Sequence, residues 1–256
     1  MHIYWLEQSA RDVPADDNWL CPNELAGLKN LRFDKRRAAW RLGRWTAKRT
    51  VSACLDWPAY SQILAKIEIR ATSSGAPEAV IASLGTPMVI SITHRAGNAM
   101  CTVSGATVML GCDLEVVEPR SHDFVTDYFS AEEQSWVART PPTEQAEIVT
   151  LLWSAKESAL KALQHGLRLD TRSVMVTPMA GSPDLDGWSP LRIGCVHDRA
   201  FQGWWRTSDG VVRTVATDSA AGSPIHLTLP ETSFRAAQAL DLGVPNWNET
   251  RLLTAS

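Results

Sequence analysis

Two long proline-free stretches of helix-forming residues, 33–55 and 143–164, each followed by a series of short β-branched runs, constrain the fold more than any other feature. After the first come strand-like segments at 67–71, 88–93, 99–103 and 107–117, with a weaker helix at 60–66 and a Gly/Pro/Ser loop at 73–77. Ser104-Gly105 reads as the turn joining 99–103 to 107–117, so the long uncharged stretch 96–112 is a hairpin and not a membrane span. The pattern then switches to helix at 122–128, 130–139 and 143–164, where Gly166 is placed to cap the last. Strand-like runs return at 173–177, 191–196, 201–206, 211–216 and 225–229. Helices with antiparallel strands, occurring twice, indicate an α+β fold. A break near Cys112 divides the chain into 1–111 and 112–230, two halves of comparable element order, and 231–256 reads as a tail. The residues themselves show no repeat.

A chain of 256 residues with 45% hydrophobic and 21% charged content buries a full core without disulfides or a structural metal. Lys and Arg number 25 against 28 Asp and Glu, so a net charge of -3 gives no global field towards nucleic acid or anionic lipid, and any polyanion site is local. The five cysteines are scattered without a CxxC or a Cys/His cluster at zinc spacing, which fits a reducing compartment. Residues 1–12 lack the basic and apolar regions of a signal peptide, and a cytoplasmic location is expected.

Three local patterns can carry chemistry. Lys35, Arg36, Arg37, Arg41, Arg44, Lys48 and Arg49 are seven cations in fifteen residues, and Arg37, Arg41, Arg44 and Lys48 fall within roughly a 60° arc of a helix. Trp40 and Trp45 flank that stripe, which reads either as a solvated helix face or as a half-sheltered anion site. In Gly111-Cys112-Asp113-Leu114-Glu115, alternation along a strand turns Asp113 and Glu115 to one side. Two converging carboxylates repel unless a proton or cation lies between them, and hard oxygen donors suit Mg2+ better than zinc; the alternative is a solvated pair. Finally, Trp153, Glu157 and Lys161 share a helix face at i, i+4 and i+8, where Glu157 and Lys161 also fit an ordinary helix salt bridge. Ser130 and Glu133 fit a capping box, and His94 ends a strand from which an imidazole can reach a ligand.

Taken in order, the basic helix, Ser91-Ile92-Thr93-His94, the Gly111–Glu115 strand, Ser130–Glu133 and the Trp153-x-x-Lys156-Glu157-x-x-x-Lys161 helix resemble the surfactin-type 4'-phosphopantetheinyl transferases over residues 31–177. The resemblance implies two similar lobes related by a pseudo-twofold, each with a small antiparallel sheet and a long helix, and coenzyme A in the cleft between them. It also implies a monomer that transfers the phosphopantetheine arm of coenzyme A to a serine of an apo acyl or peptidyl carrier protein, releasing 3',5'-ADP. By carry-over, Asp113, Glu115 and Glu157 would hold Mg2+, His94 would contact a phosphate, and Lys161 would steady the leaving group. Lys156 joins the coenzyme A set, Glu157 is the candidate base, and Glu133 is a further acidic participant. Arg37 and Arg44, placed around Gly43, would take the 3'-phosphate, with Arg36 nearby. One departure is Gly75-Ala76-Pro77, where the family often has a basic residue between Gly and Pro; Arg36 or Arg70 could replace that contact. The grouping makes physical sense because phosphoryl transfer depends on positioning and on cations at the oxygens where charge accumulates. A metal-dependent nuclease and a non-catalytic nucleotide- or carrier-binding homologue are the competing readings; under the transferase reading no nucleic-acid or membrane partner is expected.

Overall fold

Good helix formers fill both long runs, Ala, Arg, Lys and Leu in the first and Ala, Leu, Glu and Lys in the second, and each becomes a helix with its expected limits nearly intact. The computed structural model describes residues 1–85, 87–105, 108–164, 169–195 and 199–229. Its strands are β1 (Tyr4–Ser9), β2 (Ile67–Ala71), β3 (Pro77–Ile81), β4 (Met88–Arg95), β5 (Asn98–Ser104) and β6 (Leu110–Val116), then β7 (Met175–Pro178), β8 (Ser189–Cys195), β9 (Arg199–Ser208), β10 (Val211–Thr217) and β11 (Ile225–His226). The helices are α1 (Pro22–Lys29), α2 (Asp34–Cys54), α3 (Ser61–Leu64), α4 (His122–Tyr128), α5 (Ala131–Arg139) and α6 (Pro142–Ala162). The fold is α+β, with one six-stranded sheet ordered β11-β1-β5-β4-β3-β2 and one five-stranded sheet ordered β6-β10-β9-β8-β7. All pairings are antiparallel except β1 with β11, which runs parallel and returns the chain from the second half to the first sheet. Among the described residues, no helix is long and apolar enough to cross a membrane, and all five cysteines are free.

Three apolar clusters hold the layers together. Trp45, Ala47 and Val51 of α2 pack on Ile67, Ile69, Ile81, Ile90 and Val103 of the first sheet. In the second half Leu151, Leu152, Ala155 and Ala159 of α6 pack on Val176, Leu191, Ile193, Phe201 and Val212. Between the sheets, Ile3, Trp5 and Met100 meet Leu110, Cys112, Leu114, Trp204 and Val215. Each fully buried side chain of this size contributes about 1.5–3 kcal/mol, so the sheets face each other and each carries its long helix on the outside.

Several sequence expectations change. Ser104-Gly105 does not turn a hairpin: β5 pairs with β4 and β1, whereas β6 leaves for the second sheet. The hairpin turn is Ala96-Gly97, both with positive φ (49 and 80), which matches the twist of the flanking strands. Asp209-Gly210 makes the same turn between β9 and β10, with φ of 54 and 69. β1, α1 and β3 were not expected; α1 begins with Pro22, an N-terminal position that proline suits. Gly166, Thr107 and the tail 231–256 lie outside the described residues.

The residues also repeat where none was evident. Aligned by their matching strand orders, the two halves place Trp45-Thr46-Ala47-Lys48-Arg49 of α2 opposite Trp153-Ser154-Ala155-Lys156-Glu157 of α6. Lys48 is buried against Glu24 at 2.5 Å and donates to the carbonyls of Trp19 and Leu64. Lys156 is buried against Glu133 at 2.8 Å and donates to the carbonyls of Thr171 and Val174. Glu24 closes the capping box of α1 and accepts from Ile69 N–H of β2; Glu133 closes that of α5 and accepts from Val176 N–H of β7.

The tightest contact lies where α6 crosses β6. A Cβ added to Gly111 would stand 1.8 Å from the carbonyl oxygen of Ser158 and 2.7 Å from the amide nitrogen of Ala162, helix backbone that cannot give way. Gly43 in α2 differs, because its added Cβ would meet only Ile92, at 3.5 Å. Gly111→Ala is expected to destabilise the protein by about 3 kcal/mol or more. Gly43→Ala should be neutral or stabilising by up to about 1 kcal/mol through helix propensity. Urea unfolding of the two variants checks both.

Candidate functional site

β6 is the edge strand of its sheet, and its alternation turns Gly111, Asp113 and Glu115 towards α6. The close approach at Gly111 brings the helix face bearing Trp153, Glu157 and Lys161 over those carboxylates. Asp113 is buried, and its Oδ1 accepts from Lys161 Nζ at 2.7 Å and from Thr93 Oγ1 at 3.0 Å. Lys161 also donates to the Cys112 carbonyl at 3.1 Å. Glu115 accepts from the Trp153 indole at 3.3 Å, while its other oxygen faces Arg95 at 3.3 Å and Arg120 at 3.5 Å.

This is a crowd of acids. Burial, then Lys161 in opposition, then Asp113 and Glu115 act on Glu157, and the net effect is a carboxyl held above its ordinary pKa. Burial and Asp113 likewise raise Glu115 against the opposing Arg95 and Arg120. Burial alone would lower the Lys161 ammonium, but Asp113 above all, with Glu157, outweighs it and holds that pKa high. One oxygen each of Asp113, Glu115 and Glu157 is buried and accepts no hydrogen bond. Among the described residues, no three His, Cys, Asp or Glu side chains are gathered tightly enough to form a ready-made metal cage. The donor set nonetheless fits a hard divalent cation, because Asp113 and Glu157 each keep a buried carboxylate oxygen that accepts no hydrogen bond, and Glu115, whose Oε2 meets Arg95 and Arg120 only at 3.3 and 3.5 Å, adds a third hard oxygen donor.

The other expected site residues lie elsewhere. Glu133 is 2% exposed, and its oxygens are taken by Lys156, Ser130 N–H and Val176 N–H. Lys156 is 0% exposed and has three acceptors for its three N–H groups, so neither is brought to Asp113. In the basic helix, Arg41 is committed to Asp17 at 2.8 Å and to the carbonyls of Pro14, Ala15 and Asp16, and Lys48 to Glu24. Arg37 caps the end of α1 through the Leu28 and Leu31 carbonyls, and Arg36 is exposed. Arg44 lies over the Trp40 ring at 4.0 Å with its Nε buried and without an acceptor. His94 is exposed, on the face of β4 that carries Ile92 towards Gly43 of α2. Arg70 is paired with Glu78 at 2.6 Å.

A cavity of about 590 Å3 opens beside Lys161, lined by Ala76, Met88, Ile90 and Ser91, by Leu110 at the start of β6, and by Lys161 and Gln164 at the end of α6. Its size suits a small-molecule ligand. The sequence reading passed over Arg95, Arg120 and the hydroxyls of Ser91 and Thr93 as site residues; the period-2 alternation that aligned Asp113 with Glu115 also places Ser91, Thr93 and Arg95 on one side of β4.

Residues 109–209 match the model of the 4'-phosphopantetheinyl transferase superfamily. No curated protein matches the chain. The matched segment includes Asp113, Glu115, Glu157 and Lys161, and it excludes α2, β4 and the cavity-lining residues Ala76, Met88, Ile90 and Ser91.

The Glu133–Lys156 pair separates a fold role from a chemical one. Lys156→Met leaves Glu133 buried without its cation and is expected to cost about 3–5 kcal/mol in urea unfolding. A loss of activity without a loss of stability would place the pair in the catalytic machinery instead.

Proposed function

We propose that the protein transfers the 4'-phosphopantetheine arm of coenzyme A to a serine of an apo carrier protein and releases 3',5'-ADP. The observation that carries this reading is the gathering of Asp113, Glu115 and Glu157 on β6 and α6, with Lys161 on Asp113 and a buried oxygen of Asp113 and of Glu157 accepting no hydrogen bond, inside the segment that matches the superfamily. Asp113, Glu115 and Glu157 are the residues that would hold Mg2+, which when bound supplies Lewis-acid neutralisation of the pyrophosphate.

The chain's own residues do the rest. Lys161 spends two N–H groups on Asp113 and Cys112, and its third is free for the pyrophosphate oxygen on which charge develops as 3',5'-ADP departs. The serine oxygen bonds to the phosphorus bearing the pantetheine, the bond from that phosphorus to the 3',5'-ADP oxygen breaks, and Glu157 takes the serine proton. A carboxyl raised by burial and by acidic neighbours is the stronger base for that task. The cavity between the halves is assigned to coenzyme A, with Arg44, Arg37, Arg36 and His94 for its 3'-phosphate. The apolar stretch Met88–Ile92, also at the cavity, excludes water from the nucleotide. Glu133 and Lys156 are assigned to the fold, because their polar atoms are fully used within it.

The same reading takes 1–111 and 112–230 as lobes related by an approximate twofold, with 231–256 as a tail. The matching strand orders and the repeated Trp-x-Ala-Lys segments support it. It also takes the chain as a monomer of the cytoplasm, where coenzyme A and carrier proteins are found.

Incubation with coenzyme A, Mg2+ and a panel of apo acyl and peptidyl carrier proteins is expected to add the mass of one phosphopantetheine arm to at least one carrier, and EDTA should stop the reaction. Asp113→Ala and Glu157→Ala are each expected to lower kcat/KM by at least about 100-fold with the thermal midpoint kept. No mass gain on any carrier, or near-normal rates in both variants, would overturn the proposal.

A further inference from the structure

We infer that Thr93 is a positioning residue whose hydroxyl, together with the Lys161 ammonium, holds one oxygen of Asp113 so that the other is turned to the divalent cation. The inference rests on the metal reading of the carboxylate cluster and deepens it. Asp113 Oδ1 receives both donors, Lys161 at 2.7 Å and Thr93 at 3.0 Å, whereas Oδ2 is buried and has none. An ionised carboxylate only accepts, so the Thr93 hydroxyl must donate, and its proton has a fixed direction. Thr93 is itself 6% exposed, and a β-branched side chain packed in a strand has little χ1 freedom. The hydroxyl is therefore a rigid stop against which the carboxylate is set.

Thr93 also belongs to the first sheet, while Asp113 belongs to the second. The strands are tied independently of this bond. Cys112 N–H on the open edge of β6 donates to Ser91 Oγ at 3.0 Å, Cys112 Sγ donates to the Ser91 carbonyl at 3.2 Å, and Arg95 faces Glu115. Removing the Thr93 hydroxyl thus leaves β4 beside β6 and releases only the carboxylate's orientation. Lys161 alone cannot fix it, since an ammonium on a flexible four-carbon stem follows the oxygen it binds. Donors that orient metal-binding side chains in this way are worth about 10–100-fold in metal affinity.

The test uses Mn2+ as a paramagnetic probe, titrated into the full chain with saturating coenzyme A and no carrier, and read by electron paramagnetic resonance. Thr93→Val, and Thr93→Ala as a second hydroxyl-free variant should the first fail to fold, are expected to weaken Mn2+ binding about 10-fold or more. Thr93→Ser should restore it to within a few-fold. In carrier modification, the Mg2+ concentration for half-maximal rate should rise in the same proportion, while kcat at saturating Mg2+ stays close to that of the parent. Unchanged Mn2+ affinity in the hydroxyl-free variants would overturn the inference, as would a Ser variant as weak as Val. In either case a lost signal in Asp113→Ala keeps the metal reading intact. If Asp113→Ala binds Mn2+ like the parent, the metal reading fails and the inference goes with it.

Discussion

The contact between Gly111 and the backbone of α6 is the constraint on which the site depends. No side chain fits between strand and helix there, so β6 and α6 meet at backbone distance just where the strand bears Asp113 and the helix bears Lys161. Any larger residue would push the helix away, and the ammonium would lose its hold on Asp113 Oδ1. Acids that repel one another are kept together by covalent placement on two rigid elements, and Lys161, Arg95 and Arg120 offset part of their charge. Burial first, and then the neighbouring acids, raise the carboxyls of Glu115 and Glu157 against those cations.

The first half has the same frame without the chemistry. Equating the Ala96-Gly97 and Asp209-Gly210 turns sets β5 against β10, and the pairings with β1 and β6 then put Leu6 opposite Asp113 and Gln8 opposite Glu115. Along the helices, Arg49 stands opposite Glu157 and Ala53 opposite Lys161. An apolar group, an amide and a cation thus replace three carboxylates, and a methyl replaces the ammonium. What both halves keep is Glu24–Lys48 and Glu133–Lys156, each tying a capped helix, a long helix and a strand into one unit. A buried pair of this kind adds little net stability compared with apolar side chains, yet breaking it is costly, so it specifies how the elements meet.

Much of this frame was legible in the sequence. Period-2 alternation placed Asp113 beside Glu115, and i, i+4 spacing placed Glu157 beside Lys161, because each is a local rule within one element. The fate of the basic stripe was not legible. Whether Arg41 and Lys48 remain available depends on Asp17, on the Pro14–Asp16 carbonyls and on Glu24 in α1, a helix whose short run and weak patterning did not announce it. Arg44 is the cation of that stripe whose Nε stays buried and unmet, over Trp40. The hairpin at Ser104-Gly105 was misplaced for a similar reason: turn residues reveal that a chain changes direction and not which sheet the next strand joins. The repeat escaped notice because the halves share chiefly the few residues that serve the frame.

Those few residues divide the Trp153–Lys161 motif into two. Trp153, Glu157 and Lys161 follow one helix face and all reach towards the carboxylates of β6, whereas Lys156 is turned about 100° from Glu157 into the core. In α2 the core-facing Lys48 is retained and the positions of Glu157 and Lys161 are not. The first Lys of the motif therefore belongs to the frame that both halves share, and the Glu and the second Lys belong to the carboxylate cluster of the second half alone. Most basic residues of the two long helices are already engaged by a carboxylate or by backbone carbonyls, namely Arg37, Arg41, Lys48, Lys156 and Lys161. A slightly negative chain is thus compatible with the polyanionic substrate proposed above, because that reading draws on local groups, Lys161, the set of Arg36, Arg37, Arg44 and His94 and a cation at the acids, and not on the field of the protein as a whole.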